Sequence, residues 1–235
     1  MKRTGLLWVT LAAFMVASGC SNTNNSKTSG SEPVAPRGAA VGTGGAGADV
    51  RSDGEFVRDV ASKNMAEIEL SRMALEKTSS RVVRAFAQMM LDDHGAAANK
   101  LKSVVDGQGI EWPAQLDDKH QETADSLAKK QGAEFDREYL KAMVASHQDL
   151  AAKLESRLDV QSVQEWKTAA AGRTERNALP DPKAQMADVQ VRPNKSDNAI
   201  TSRINQWAAE TYPVAQKHLD NARALENAMK ERPSG

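Results

Sequence analysis

Along most of the chain apolar side chains return every three or four residues, the period of an amphipathic helix. Phe56, Val60, Glu67, Leu70 and Ala74 share one stripe and predict a first helix over about residues 54–78. Ser79 and Ser80 break it. Val83, Phe86, Met90, His94, Ala97, Leu101 and Val104 carry a second over about 80–106, closed by Gly107, Gly109 and Pro113. A shorter segment, roughly 115–130, shows only Leu116 and Leu127. Phe135, Leu140, Met143, His147, Leu150, Leu154 and Leu158 mark a third long helix over about 133–159. Ile204, Trp207, Val214, His218, Ala222, Leu225 and Met229 mark a fourth over about 198–230. No convincing strand is visible. Four long amphipathic helices sharing one core make a bundle, so the expected fold is an all-α four-helix bundle over 54–230 with one additional short helix.

Two stretches break the pattern. Residues 20–53 are Ser, Asn, Thr, Gly and Ala with Pro33 and Pro36, too poor in apolar groups to build a core. They are expected to form a flexible tether with an r.m.s. reach of about 30 Å. Its glycine cluster has no Gly-Lys-Ser/Thr ending, so it is no phosphate loop. Residues 168–197 hold Gly172, Pro180, Pro182 and Pro193 among mixed charges, and a disordered insertion is expected there.

The first residues read as an address. Lys2 and Arg3 precede an apolar run, Leu6 to Val16, that is too short to span a bilayer. Residues 1–19 are therefore expected to be a signal peptide. Ala17-Ser18-Gly19-Cys20 resembles the lipobox of a bacterial lipoprotein precursor, which makes Cys20 the expected lipid attachment. By resemblance to the sorting of enterobacterial lipoproteins, Ser21, rather than an aspartate, then implies the outer membrane of a Gram-negative envelope, facing the periplasm. An ordinary secretory signal with an incidental cysteine is the alternative.

Charge and composition narrow the rest. Lys and Arg number 31 against 31 Asp and Glu, which argues against a basic nucleic-acid surface. A single cysteine excludes a disulfide framework and any multi-cysteine metal site.

Candidate chemistry lies where polar residues occupy apolar stripes. Three long helices each carry one histidine there, His94, His147 and His218, and the first carries Glu67. His120, on the short helix, is expected at the surface. Glu67 precedes the break at Ser79 by twelve positions and His94 follows it by fifteen. At 1.5 Å per residue the two differ by about 4–5 Å along an antiparallel pair, so they can face each other. Burying such groups is costly unless they pair or bind something. One solution is a metal, because imidazoles with a carboxylate suit zinc, copper, nickel or iron. Asp93 would be a further ligand or would orient an imidazole. The other solution is a hydrogen-bonded network with no metal, in a structural module that binds an envelope partner through an outer helix face. The methionines, Met65, Met73, Met89, Met90 and Met143 among them, read as core filler.

These residues also carry a family resemblance. Ala66-Glu67-Ile68-Glu69-Leu70, Ala85-Phe86-Ala87-Gln88-Met89-Met90 and Asp92-Asp93-His94 are similar to motifs of the bacterial family catalogued as domain of unknown function 4142. So are Glu134 to Leu140 with Met143 through His147, and Trp207 to Pro213 through His218-Leu219, along most of residues 55–226. The resemblance implies a ferritin-like bundle in secreted or envelope-anchored proteins, with recurrent polar positions at Glu67, Asp93, His94, Asp136, His147 and His218. A di-iron carboxylate centre does not follow, because it needs Glu-x-x-His on two helices. Leu91, Val144 and Ala215 stand three residues before the histidines. No Gly-x-Ser-x-Gly or His-Glu-x-x-His motif is present either, so the sequence weighs against an enzyme.

Overall fold

The computed structural model describes residues 44–176 and 189–231, with side chains from 52 to 171 and from 189 to 231. Among these are six helices: α1 (Gly44–Lys77), α2 (Arg81–Val105), α3 (Asp118–Ala128), α4 (Gly132–Glu155), α5 (Val160–Arg176) and α6 (Ala199–Lys230). The long helices α1, α2, α6 and α4 pack as consecutive neighbours around a square, closed by α4 against α1. This is the expected all-α four-helix bundle. The expected signal peptide and Cys20 lie outside the described residues, and no helix among those described is long and apolar enough to cross a membrane.

Local chemistry sets the helix ends. Ser80 caps α2 by accepting from the Val83 N–H, Asp117 caps α3 at the His120 N–H, and Asn198 caps α6 at Ile200 and Thr201. The short α3 docks on α1 and α4 through Ala124 and Leu127 and through Lys77, whose ammonium donates to the carbonyls of Ala128 and Lys130. Pro213 neither ends α6 nor starts a new helix; α6 runs through it.

Three expectations need correction. First, α1 begins at Gly44, inside the segment read as tether. Buried Asp53 explains the anchorage: it pairs with Arg157 at 2.5 Å and accepts from Thr201 at 2.6 Å. Second, a further helix, α5, joins the one short helix expected. Third, the stretch read as an insertion is ordered at both ends. Its first residues, 168–176, belong to α5, and residues 189–197 return along the end of the bundle. Trp166 stacks edge-on against Tyr212 at 5.4 Å, and Val163, Trp166 and Val191 join the same apolar cluster. Asp159 N–H donates to the Arg192 carbonyl and Asn194 N–H to that of Arg157, each at 2.9 Å. Residues 177–188 lie outside the described set.

The core falls into two apolar clusters. One gathers Phe56, Val60, Leu101, Leu150, Leu154, Trp207 and Tyr212; the other gathers Leu70, Ala74, Phe86, Met90, Tyr139, Met143 and Ala222. On every long helix a buried acidic or histidine side chain interrupts the passage from the first to the second. These are Glu67 on α1, His94 on α2, His147 on α4 and His218 on α6, all buried. The four polar side chains form a layer across the bundle.

Candidate metal centre

Each polar side chain of the layer occupies a core-facing position of its helix, and the bundle brings all four helices to one axial level. The rings of His94, His147 and His218 make a near-equilateral triangle, with centroids 5.3, 5.3 and 5.4 Å apart. One nitrogen from each lies within 4.8 Å of the other two.

The outer nitrogen of each ring is held by an oxygen. His94 Nδ1 lies 2.7 Å from Asn64 Oδ1. The Asn64 amide nitrogen donates to the His94 carbonyl at 2.9 Å, which leaves Oδ1 as the acceptor facing the ring. His147 Nδ1 lies 2.9 Å from the Met143 carbonyl, and His218 Nε2 lies 2.8 Å from Asp93 Oδ2. Each outer nitrogen therefore carries the hydrogen, and each neutral ring keeps its lone pair on the other nitrogen. Those nitrogens are Nε2 of His94, Nε2 of His147 and Nδ1 of His218. The two Nε2 atoms stand 3.3 Å apart, and His218 Nδ1 is buried without a hydrogen-bond partner. Three lone pairs thus share one small space, an arrangement that a proton or a cation between them relieves.

Glu67 sits behind two of the rings. Its carboxylate is 3.0 Å from His94 Nδ1 and 3.3 Å from His147 Nδ1, on their outer sides. Neither approach has hydrogen-bond geometry, so both oxygens are buried without a hydrogen-bond partner. Burial pushes the Glu67 carboxyl up, but the adjacent His147 and His94 pull it further down, well below the usual carboxylate range. Burial lowers His147, and it lowers His218 to about 4 against the opposing pull of Asp93. A buried carboxylate is stable only with compensating charge or hydrogen bonds, and among the described residues the ion-pair partners of Glu67 are His94 and His147 alone.

Of the residues singled out in the sequence, Glu67, His94, His147 and His218 meet in the layer. Asp93, its side chain 46% exposed, reaches in only to His218. Asp136 lies apart, eleven residues before His147 on α4 and about 16 Å along it. It is buried with Oδ1 unpartnered, and desolvation raises its pKa. His120 is half-buried rather than fully at the surface and pairs with Asp117 at 2.7 Å. The sequence reading missed Asn64, which fixes the His94 ring. Its signal was position: it stands three residues before Glu67, on the same helix face.

The chain belongs to the domain of unknown function 4142 (DUF4142) family, whose model matches residues 39–176. This family is a ferritin-like helical domain. The matched span holds Glu67, Asp93, His94, Asp136 and His147, and it ends before α6 and His218. No curated protein and no solved structure matches the chain significantly.

Proposed function

We propose that the protein binds one transition-metal ion through His94 Nε2, His147 Nε2 and His218 Nδ1, with Glu67, Asn64 and Asp93 orienting the rings from outside. One observation carries this reading: three inward lone pairs with every outer nitrogen already held by an oxygen. Two nitrogens at about 2.0–2.1 Å from a tetrahedral ion lie about 3.3–3.4 Å apart. The Nε2 atoms of His94 and His147 stand at 3.3 Å. All-imidazole donors suit zinc, copper, nickel or iron(II), and the Glu67 carboxylate supplies the countercharge. Glu67, weighed from sequence as a ligand, takes an outer position in this reading.

The lipobox supports the further reading that Cys20 carries a lipid and holds the domain at a Gram-negative outer membrane, where it would buffer or sense periplasmic metal. Labelled palmitate entering the full chain but not the Cys20→Ser variant would bear this out; equal labelling would defeat it.

A second reading has its own support, since 3.3 Å between the Nε2 atoms also suits an N–H···N bond. The layer would then be a protonated network inside a non-enzymatic interaction module of the envelope. Elemental analysis with melting curves, before and after chelation and reloading, separates the two. Metal binding requires close to one ion per chain and a higher melting temperature on reloading, because a ligand held only by the folded state stabilises it. A metal-free protein whose melt ignores added zinc, copper, nickel and iron(II) would reject the site.

A further inference from the structure

We infer that the metal held by the three histidines keeps one coordination position for an exogenous monodentate donor, water or a small anion, lodged between α2 and α6. The inference rests on the metal-binding reading above and goes one step past it. Among the described residues, the group placed to hold an ion consists of three histidines and no fourth His, Cys, Asp or Glu. Glu67 stands on the far side of the His94 and His147 rings, against their Nδ1 atoms. Asp93 is engaged by the outer nitrogen of His218. No carboxylate is therefore free to complete a tetrahedron, and a three-ligand site of this kind takes its fourth donor from solution.

The fold leaves room for that donor. A void of about 20 Å³, enough for one water, adjoins His94 and His218, with Ala97 and Trp207 among its walls. Its lining reaches the surface at Asp93 and Val214, the latter 40% exposed. His147 is fully buried and absent from that lining, so the donor approaches from the α2–α6 side of the triangle. Small Ala97 and Ala215 keep the space; a longer side chain at Ala97 would fill it.

The full chain loaded with cobalt(II) tests this, with azide as the anion probe and water-proton relaxation of the copper(II)-loaded chain as the water probe. A saturable azide-dependent shift of the cobalt visible bands is expected, together with enhanced water relaxation that azide suppresses. The Ala97→Leu variant should keep its cobalt and lose about tenfold or more in azide affinity. If Ala97→Leu fails to fold, the unaltered chain still decides the matter. Cobalt bound stoichiometrically, with bands indifferent to azide and no relaxation enhancement, would overturn the open position while leaving the metal site standing. Failure to take up any metal would remove both.

Discussion

Two places in this molecule set a histidine against carboxylates, and they differ in what is left over. On the surface between α1, α3 and α4 lies a groove of about 630 Å³ containing Ser62, Asp117 and His120. There Asp117 accepts from Ser62 at 2.6 Å and faces His120 Nδ1 at 2.7 Å. These are the residue types of a hydrolytic triad in the wrong order. The carboxylate takes the serine hydroxyl for itself, and Ser62 Oγ stays 3.4 Å from the ring nitrogen. Two of the groove's three lysines are paired as well, Lys63 with Asp149 and Lys153 with Asp59. The buried layer is smaller and holds no comparable cavity, yet His218 Nδ1 and the Glu67 oxygens lack hydrogen-bond partners. Unmet bonding capacity, rather than the size of a hollow, separates the proposed binding centre from a solvated surface.

The largest effect should come from His94→Ala. It removes one inner lone pair and leaves the buried Asn64 amide oxygen without its ring. Metal content should fall from about one ion per chain to near zero, and the metal-free protein should lose roughly 2–4 kcal/mol in urea titrations. The same substitution at His120 should leave metal content unchanged. Equal metal loss from both variants would erase the distinction between the two places.

Acid should weaken the buried layer next. A histidine whose folded pKa is depressed binds its proton more readily in the unfolded chain. Stability from His218 is complete above its ordinary value of 6.5 and is lost as the pH falls toward about 4. The full loss is on the order of 3 kcal/mol. Glu67, held ionised, adds a loss of the same sign at still lower pH, below its ordinary 4.5. Chemical denaturation of the metal-free protein between pH 7 and pH 4 measures the slope. A flat profile would mean that the layer already carries its balancing proton at neutral pH, as the network reading requires.

How far this contrast was legible in sequence depends on the kind of information each part needs. Glu67, His94, His147 and His218 were visible because a polar residue on an apolar stripe breaks a local pattern. Their common level was computable only for Glu67 and His94, which a short turn connects. For His147 and His218 the level becomes clear from the two apolar clusters, and those clusters are tertiary facts. The side of the ring on which Glu67 stands depends on side-chain direction, which periodicity does not encode. The second end of the bundle was misread for a related reason. Val163, Trp166 and Val191 are sparse in sequence and order their segments only by meeting Leu158 and Tyr212 in space. At the start of α1, buried Asp53 gains its partners from α6 and from the turn after α4, more than a hundred residues away.

Glu67→Gln should sharpen the picture of the outer carboxylate. It keeps the shape and removes the charge. An outer group that raises imidazole basicity is worth about 10–100-fold in metal affinity. Competition against a chelator of known strength should show a loss in that range, with the same stoichiometry. Unchanged affinity would reduce Glu67 to a packing residue.

The smallest expected effect falls on the groove, and Asp117→Ala isolates it. Asp117 is the cap of α3, accepting the His120 N–H at 3.0 Å, and it also orders Ser62 and His120. Burial pushes the carboxyl up, but hydrogen bonds from Ser62 and from the backbone and ring of His120 together outweigh it and hold the group at about 2, so it is ionised at neutral pH. All of these bonds are exposed or partly so, and water can replace them once the side chain is gone. The loss should therefore resemble that of an ordinary helix cap, about 1 kcal/mol. The metal-induced rise in melting temperature should survive intact, because α3 contributes nothing to the layer. A variant that weakened metal uptake without a matching loss of stability would couple the groove to the centre through Ser62, which lies on α1 between Val60 and Asn64. The surface triad would then be part of the functional site rather than its contrast.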